Sequence, residues 1–296
     1  MRRIAIAICF LLAPVAAQAI NCSWDTVPAN INFGAYSAFS SSAVTATSAF
    51  QFTCTPPATA TMTITRGSGA SFNPRDMART TLPAMNMDYN LYMDAANTII
   101  WGDGTSGTQF LTFVATPGTK TYAGTIYATI PAGLNVGPGT YTDTVQVTLN
   151  WGSGSLNQFI TITAIVSAEC TVSTTSVNFG AYDPVVVNAA TPLDSTGTVN
   201  VFCTAGTLAT VSLDLGTHFT GSTRRMLSGA ANFLNYEVYK DAARSVVWNS
   251  VNTDSGTSAS KTTAINGGFI AYGRIPSGQD VTMGSYTDTL LVTVNY

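Results

Sequence analysis

The sequence predicts an all-β protein built from two tandem antiparallel β-sandwiches of immunoglobulin-like size. Apolar and polar residues alternate in segments such as 144–151, which is the pattern of a half-buried strand. Turns rich in Gly and Pro separate such segments at short intervals, and the sequence shows no apolar stripe of helical period and length. Several motifs of the first half recur in the same order in the second half. These observations predict one strand-rich unit that occurs twice.

The first nineteen residues have the composition of a secretory signal peptide. Arg2 and Arg3 precede an apolar run, and the small residues Ala17 and Ala19 follow it, so we expect cleavage before Ile20 and export of the mature protein. The apolar run is too short to span a bilayer as a permanent helix. Removal of the signal peptide leaves 10 Lys and Arg against 15 Asp and Glu, a net charge of −5. A nucleic-acid partner is therefore not expected, because phosphate binding needs clustered positive charge.

The two halves of the chain repeat the same motifs at offsets of 145 to 149 residues. Such a repeat indicates a tandem duplication of one domain. We expect a first domain at residues 20–154, a linker at 155–168 and a second domain at 169–296. The recurring motifs are INFGAY at 31–36 and VNFGAY at 177–182, YNLYMDAANTIIW at 89–101 and YEVYKDAARSVVW at 236–248, and YTDTVQVTLNW at 141–151 and YTDTLLVTVNY at 286–296.

Cysteine usage agrees with the repeat. Five cysteines become four when Cys9 leaves with the signal peptide, and four cysteines in an oxidising compartment permit three pairings. Each copy holds two of them, so we expect Cys22 to pair with Cys54 and Cys170 to pair with Cys203. A four-thiolate zinc site would use closely spaced cysteine pairs, which this sequence lacks. We expect no metal or other cofactor.

The order of the motifs resembles the spore coat protein U domain family, found in subunits of archaic chaperone-usher pili. In each copy the likeness rests on an early cysteine, NFGAY, a second cysteine, LY-D-----W or its variant, IP-G and a closing strand that begins YTDT. The resemblance implies pilin-type immunoglobulin-like domains whose last strand is missing. A periplasmic chaperone, and later the next subunit added through an outer-membrane usher, would supply that strand.

Donor segments in this family lie ahead of the first cysteine, and only the second copy has a long one. It carries Ile160, Ile162, Ala164 and Val166 on one face. After cleavage only two residues would precede Cys22, so we expect domain 1 to donate no strand and to occupy the distal end of a fibre. The donor segment is expected to fold back across a short Gly/Ser turn and complete domain 1 in cis. The alternative is an ordinary interdomain strand.

Domain 2 is expected to lack its final strand, since no residues follow its closing YTDT segment. The resemblance implies that this closing strand receives the strand of a chaperone or of the next subunit. The residues expected to line it are Leu290, Val292, Val294 and Tyr296.

Enzymatic chemistry is not expected. His218 is the only histidine in the sequence, so a catalytic triad would depend on it alone. Asp143 and Asp288 occur in equivalent YTDT motifs but in different domains, so we expect them to bond the turn that enters each closing strand. Arg224 and Arg225 are expected to be strand-edge charges or chaperone contacts.

Adhesion is the function that an end position favours, because such a subunit meets an abiotic or host surface first. Apolar residues near predicted loops of domain 1 are candidate surface contacts. They are Phe110, Leu111, Phe113, Val114, Leu134, Val136, Met85 and Met87. The first four fit a buried strand equally well.

Two other functions stay open at this point. One is a structural spore-coat or fibre-shaft subunit without an adhesive role. The other is a secreted glycan-binding module, which would use aromatic platforms such as Trp24, Tyr89 or Tyr92.

Overall fold

The computed structural model describes residues 19–116 and 121–296, and residues 1–18 of the predicted signal peptide lie outside this part of the chain. Within it, the regular structure consists of eighteen β-strands and one short 3-10 turn, Ile265–Gly267. No helix in these two ranges is long and apolar enough to cross a membrane. The prediction of an all-β chain with two tandem sandwiches is confirmed.

Domain 1 forms a curled sheet around one apolar core. Its strands are β1 (Asn21–Thr26), β2 (Ile31–Tyr36), β3 (Val44–Thr55), β4 (Ala60–Ile64), β5 (Arg75–Arg79), β6 (Asn86–Tyr92), β7 (Leu111–Phe113), β8 (Thr121–Ile130), β9 (Gly139–Asn150) and β10 (Ser155–Val166). Neighbours in the sheet follow the order β1-β3-β8-β6-β5-β9-β10-β2, and β4 pairs with β9 and β7. Because alternate side chains of β3 and β9 point inward, these two long strands contribute most of their apolar residues to the core.

Strand β10 lies between β9 and β2, although β2 precedes it by more than a hundred residues. It pairs antiparallel with β9 along its whole length, from Ser155 opposite Asn150 to Val166 opposite Gly139. It pairs parallel with β2, where Ile162 lies opposite Ile31. The four even-numbered side chains expected on one face are buried in the core of domain 1; they are Ile160, Ile162, Ala164 and Val166. The segment is thus an internal strand of domain 1.

Domain 2 repeats this architecture with two separate sheets. Its strands are β11 (Cys170–Thr175), β12 (Leu193–Cys203), β13 (Leu208–Leu213), β14 (Arg224–Ser228), β15 (Asn232–Tyr239), β16 (Asp254–Thr257), β17 (Phe269–Ile275) and β18 (Val292–Asn295). One sheet has the order β11-β12-β17-β15-β14 and the other the order β16-β13-β18. Trp101 and Trp248 are fully buried at equivalent positions, and each indole N–H donates to a backbone carbonyl at 3.0 Å.

A disulfide bond ties the first strand of each domain to its neighbour. Cys22 is bonded to Cys54 between β1 and β3, and Cys170 is bonded to Cys203 between β11 and β12. Each bond joins residues 32 or 33 positions apart, and cross-linking restricts the unfolded chain more than the folded one.

Replacing Cys22 and Cys54 with serine is expected to lower the free energy of unfolding of domain 1 by about 3 to 4 kcal/mol. Denaturant unfolding followed by tryptophan fluorescence measures this loss. The matched variant replaces Cys170 and Cys203 and should weaken domain 2 by a similar amount. An equal effect of the first variant on both domains would show that the two bonds do not act separately.

Candidate functional site

A groove with a volume of about 1220 Å³ opens along domain 2. One wall is the segment 174–184 and the other is the segment 281–292. Its floor consists of buried apolar side chains from both sheets, among them Leu213, Met226, Leu234, Val238, Ala271 and Ile275. The groove therefore gives direct access to the apolar core of the domain.

The repeat shows what occupies this place in domain 1. There the NFGAY motif forms β2 and pairs with β10, and Ile31, Phe33 and Tyr36 are buried. In domain 2 the same motif, residues 177–182, forms no strand, and its apolar side chains are only half-buried against the core. Because the motifs are nearly identical in sequence, the difference comes from the strand that domain 1 has and the groove lacks.

The closing strands differ in the same way. Strand β9 runs for twelve residues, and Val145, Val147 and Leu149 are fully buried. The equivalent β18 has only four residues and is the edge strand of its sheet. The predicted strand-binding residues divide: Leu290, Val292 and Val294 are half-buried against the core, and Tyr296 is exposed. An edge strand beside open core offers both backbone hydrogen-bonding groups and apolar surface to a further strand.

A buried aspartate holds a turn beside the site in each domain. Asp143 lies opposite Ile162 of β10 and accepts hydrogen bonds from Ser68 N–H and Ser68 Oγ, both at 2.8 Å, and from Tyr89 Oη at 2.6 Å. The predicted role is corrected: the bonded turn follows β4, not the entry to the closing strand. Gly67 is required there, because its φ is +81° and a Cβ would lie 1.9 Å from the carboxylate.

Asp288 makes the equivalent contacts at the wall of the groove. It accepts hydrogen bonds from Thr217 N–H at 3.0 Å, from Thr217 Oγ1 at 2.7 Å and from Tyr236 Oη at 2.7 Å. His218 Nδ1 lies 3.0 Å from the same carboxylate, so the single histidine of the chain belongs to this turn. The pKa of the Tyr236 hydroxyl is raised, because burial and the neighbouring carboxylate both disfavour its ionised form.

The Asp288 carboxylate is expected to make the stability of domain 2 depend on pH. Burial raises the pKa of this carboxyl, but hydrogen bonds from Thr217 and Tyr236 outweigh burial and hold the pKa below its usual range. The stabilisation is therefore present above the unfolded-state pKa of about 3.9 and is lost as the pH falls through the folded-state pKa. The melting temperature of the Asp288→Asn variant should be lower than that of the wild-type protein at about pH 5. Between about pH 5 and pH 2 it should also fall with a smaller slope against pH. Equal slopes in both proteins would contradict this.

A buried arginine in each domain was not predicted from the sequence. Arg75 is fully buried, and its guanidinium donates to the carbonyls of Thr65 and Trp101 and to Asn90 Oδ1. Burial lowers its pKa to about 10. Arg224 is its equivalent and is also fully buried. Arg224 lies in β14, the edge strand of its sheet, but its charge is buried and not exposed at that edge. Its guanidinium bonds Glu237 and the carbonyls of Asp214 and Trp248.

The candidate surface contacts of domain 1 lie at two opposite ends. Strand β9 begins at Gly139, opposite the residue where β10 leaves for domain 2, and Leu134, Val136 and Met85 lie at this end. The Ala205 carbonyl of domain 2 lies so close to Gly137 that a Cβ at this position would clash with it. Val136 and Met87 are buried, and Leu134 and Met85 pack against the core. These four are corrected from surface contacts to core and interdomain positions, because their side chains pack into the core of domain 1.

The other four candidates run toward the end that carries the β9-β10 turn. Leu111 and Phe113 point inward, and the Phe113 ring packs against Phe52 with centroids 5.0 Å apart. Phe110 and Val114 point outward and are exposed. Strand alternation therefore divides the group: Leu111 and Phe113 are packing residues, while Phe110 and Val114 are accessible to a surface.

The proposed aromatic platforms are mostly unavailable to a sugar. Tyr89 is fully buried, and Trp24 packs edge-on against Phe50 and Phe52. Tyr92 is half-buried. Stacking on a sugar needs an exposed ring face, so Tyr89 is corrected to a core residue. Among the described residues, no group of three or more His, Cys, Asp or Glu is placed to hold a metal ion.

Comparison with known proteins places the repeat in a wider context. The model of the Spore Coat Protein U domain family matches residues 8–148 and 156–293. Protein U of Myxococcus xanthus is 35% identical over 134 residues, which span 41% of this chain and 72% of that protein. A chain of the CsuC-CsuE chaperone-tip adhesion subunit pre-assembly complex, from archaic chaperone-usher Csu pili of Acinetobacter baumannii, has 18% identity and a TM-score of 0.53. That match covers 93% of this chain and 100% of the other, and it concerns the fold.

Proposed function

The chain belongs to the Spore Coat Protein U domain family, and on this premise we propose that it is the tip subunit of an archaic chaperone-usher pilus. Domain 2 anchors the chain to the fibre. Domain 1 attaches the cell to an abiotic or host surface and so supports biofilm formation. The action is noncovalent and uses no cofactor, and the exported protein passes through the periplasm to the cell surface.

The open groove of domain 2 is the observation that carries this proposal. A strand placed there in the register of β10 would lie beside Tyr286, Asp288 and Leu290, the equivalents of the β9 residues that β10 pairs with. It would need four apolar side chains at alternate positions to cover the floor of the groove, as β10 does in domain 1. We propose that a periplasmic chaperone supplies this strand first and that the next subunit, added at the outer-membrane usher, replaces it.

Domain 1 needs no such partner in this proposal, because β10 already completes its sandwich. Residues 155–166 therefore act as a donor strand in cis and leave domain 1 free to face outward. A completed domain whose far end carries exposed Phe110 and Val114 suits contact with an apolar surface.

Immunogold labelling of cells that carry the assembled fibre tests the position. Gold particles at one end of each fibre are expected, because domain 1 is closed and only domain 2 can accept a strand. Particles at regular intervals along the fibre would overturn the tip assignment. They would favour the second candidate, a structural coat or shaft component, which the description of the matching family supports.

Replacing Phe110 and Val114 with aspartate is expected to reduce attachment of cells to polystyrene by about tenfold without changing the melting temperature of domain 1. Neither side chain belongs to the apolar core of domain 1, so their replacement removes contact area and leaves the core intact. Crystal-violet staining and calorimetry measure the two effects. The control is Leu82→Asp, an exposed apolar residue in the turn between β5 and β6. Equal attachment of the variant and the control would contradict the contact role.

A further inference from the structure

Three successive valines are exposed at the end of domain 2 that faces away from domain 1. Val185, Val186 and Val187 have exposed fractions of 80%, 73% and 62%, and Met283 beside the groove is fully exposed. We call these four residues the valine pole. We propose that the valine pole docks the end of the next module in the fibre, a different immunoglobulin-like module with an apolar and basic end. This inference rests on the proposed function and names the partner that the groove engages.

The loop that carries the valines is held in one conformation by hydrogen bonds. The Asp183 carboxylate accepts the N–H groups of Val185 at 2.9 Å and Val186 at 3.0 Å. Asn188 is almost fully buried, and its Oδ1 accepts the Asp183 N–H at 2.9 Å. The carbonyl of Asn188 accepts the N–H of Gly278 at 2.8 Å, which ties the loop to the turn after β17. These hydrogen bonds hold the loop in a conformation that keeps all three valine side chains exposed. A soluble protein seldom exposes such an apolar patch unless a partner covers it.

The contact between the two domains shows how a module stacks on such an end. Ser37 Oγ of domain 1 donates to the Glu169 carboxylate at 2.6 Å. The backbone N–H of Lys261 donates to Asn135 Oδ1 at 3.2 Å, and its ammonium group donates to the carbonyl of Ala38. All three domain 1 residues lie in the two loops that, by the repeat, correspond to the valine loop and to residues 276–284 of domain 2. The valine pole is therefore the surface that the next module would meet in a head-to-tail stack.

A second copy of this chain does not fit the valine pole as a partner. Ser37 is replaced by Asp183 and Asn135 by Asp280, while the Ser-rich loop of domain 1 is replaced by the three valines. In a second copy the face that carries Glu169 and Lys261 is already covered by that copy's own domain 1, so it is not free to meet the valine pole. On a different module, a carboxylate at the position of Glu169 would face Asp183, and like charges brought together across an interface are unfavourable. The partner must instead lack a carboxylate at the position of Glu169, present apolar side chains to the valines and keep a cation near Asp280. A different module in the same fibre fits these requirements.

Replacing Val185, Val186 and Val187 together with serine tests the proposal in the full chain. The probe for the groove is a synthetic peptide with the sequence of residues 156–166, and its affinity is expected to stay unchanged. In purified fibres heated in detergent, the half-life of the junction between this chain and its neighbour is expected to fall about tenfold. Val251→Ser is the control, since this valine is 84% exposed in another loop of domain 2. It should leave the half-life unchanged.

Each of four other outcomes would overturn the proposal. An unchanged junction half-life in the triple variant would show that the valine pole bears no contact. Loss of peptide binding in that variant would assign the valines to the groove itself. Self-association of the purified chain that the triple variant abolishes would make a second copy the partner. Failure of the wild-type chain to enter fibres, with peptide binding intact, would be a failure of the proposed function and would remove the premise of the valine pole with it.

Discussion

Replacing Ile162 with aspartate is expected to unfold domain 1. Ile162 is fully buried in the middle of β10 and lies opposite Asp143, which is itself buried. The variant would place a second carboxylate in an apolar core beside the first, and an unpaired buried charge of this kind costs at least about 4 kcal/mol. Calorimetry of the full chain should therefore lose the transition of domain 1 and keep that of domain 2.

The matched control for Ile162→Asp uses the other face of the same strand. Phe159 is 62% exposed, so Phe159→Asp introduces the same group without burying it. Domain 1 should melt within a few degrees of the wild-type temperature in this control. If both variants leave the domain 1 transition in place, β10 is not part of the core in solution and the cis completion of domain 1 is wrong.

Adding a strand peptide is expected to stabilise domain 2 alone. The peptide 156–166 presents Ile160, Ile162, Ala164 and Val166 on one face, the pattern that fills the equivalent place in domain 1. At a free concentration 100 times its dissociation constant, a ligand of the folded state adds about 2.7 kcal/mol, which corresponds to a rise of about 10 °C in melting temperature for a domain of this size. Domain 1 is already complete, so its transition should not move.

The control peptide carries aspartate at the positions of Ile160 and Ile162. It keeps the backbone groups that could pair with β18 and removes the apolar side chains that would enter the groove. Because burial of these side chains provides most of the binding free energy, the control should leave both transitions unchanged. A rise of both transitions, or an equal rise with both peptides, would argue against strand insertion into the groove.

The sequence predicted the features that repeat or alternate. The tandem sandwiches follow from the duplicated motifs, and the burial of Ile160, Ile162, Ala164 and Val166 matches the period of a strand. The same period was not sufficient for two residues expected near loops. Met87 lies in β6 and points into the core, and Val136 lies in the loop between β8 and β9 but is buried all the same. Which end of the sandwich a loop occupies depends on strand pairing, so local composition could not reveal it.

Two features depended on contacts that no local pattern contains. Arg75 and Arg224 are fully buried because carbonyl groups from distant turns surround each guanidinium, and a charged residue read alone indicates the surface. The two NFGAY motifs have nearly the same sequence, yet only residues 31–36 form a strand, because only they have a neighbour to pair with. A strand edge is a property of the sheet and is not encoded in the segment itself.

The position of β10 in the sequence also determines when domain 1 can be completed in a chain that emerges with its N-terminus first. Nine strands of domain 1 precede β10, and Ile31 must wait for Ile162, which follows it by 131 residues, before the two can pair. Until Val166 has emerged, domain 1 has the same open groove as domain 2. Domain 1 therefore exposes its apolar core while the chain is emerging. It is complete only when β10, the strand that also connects it to domain 2, has emerged.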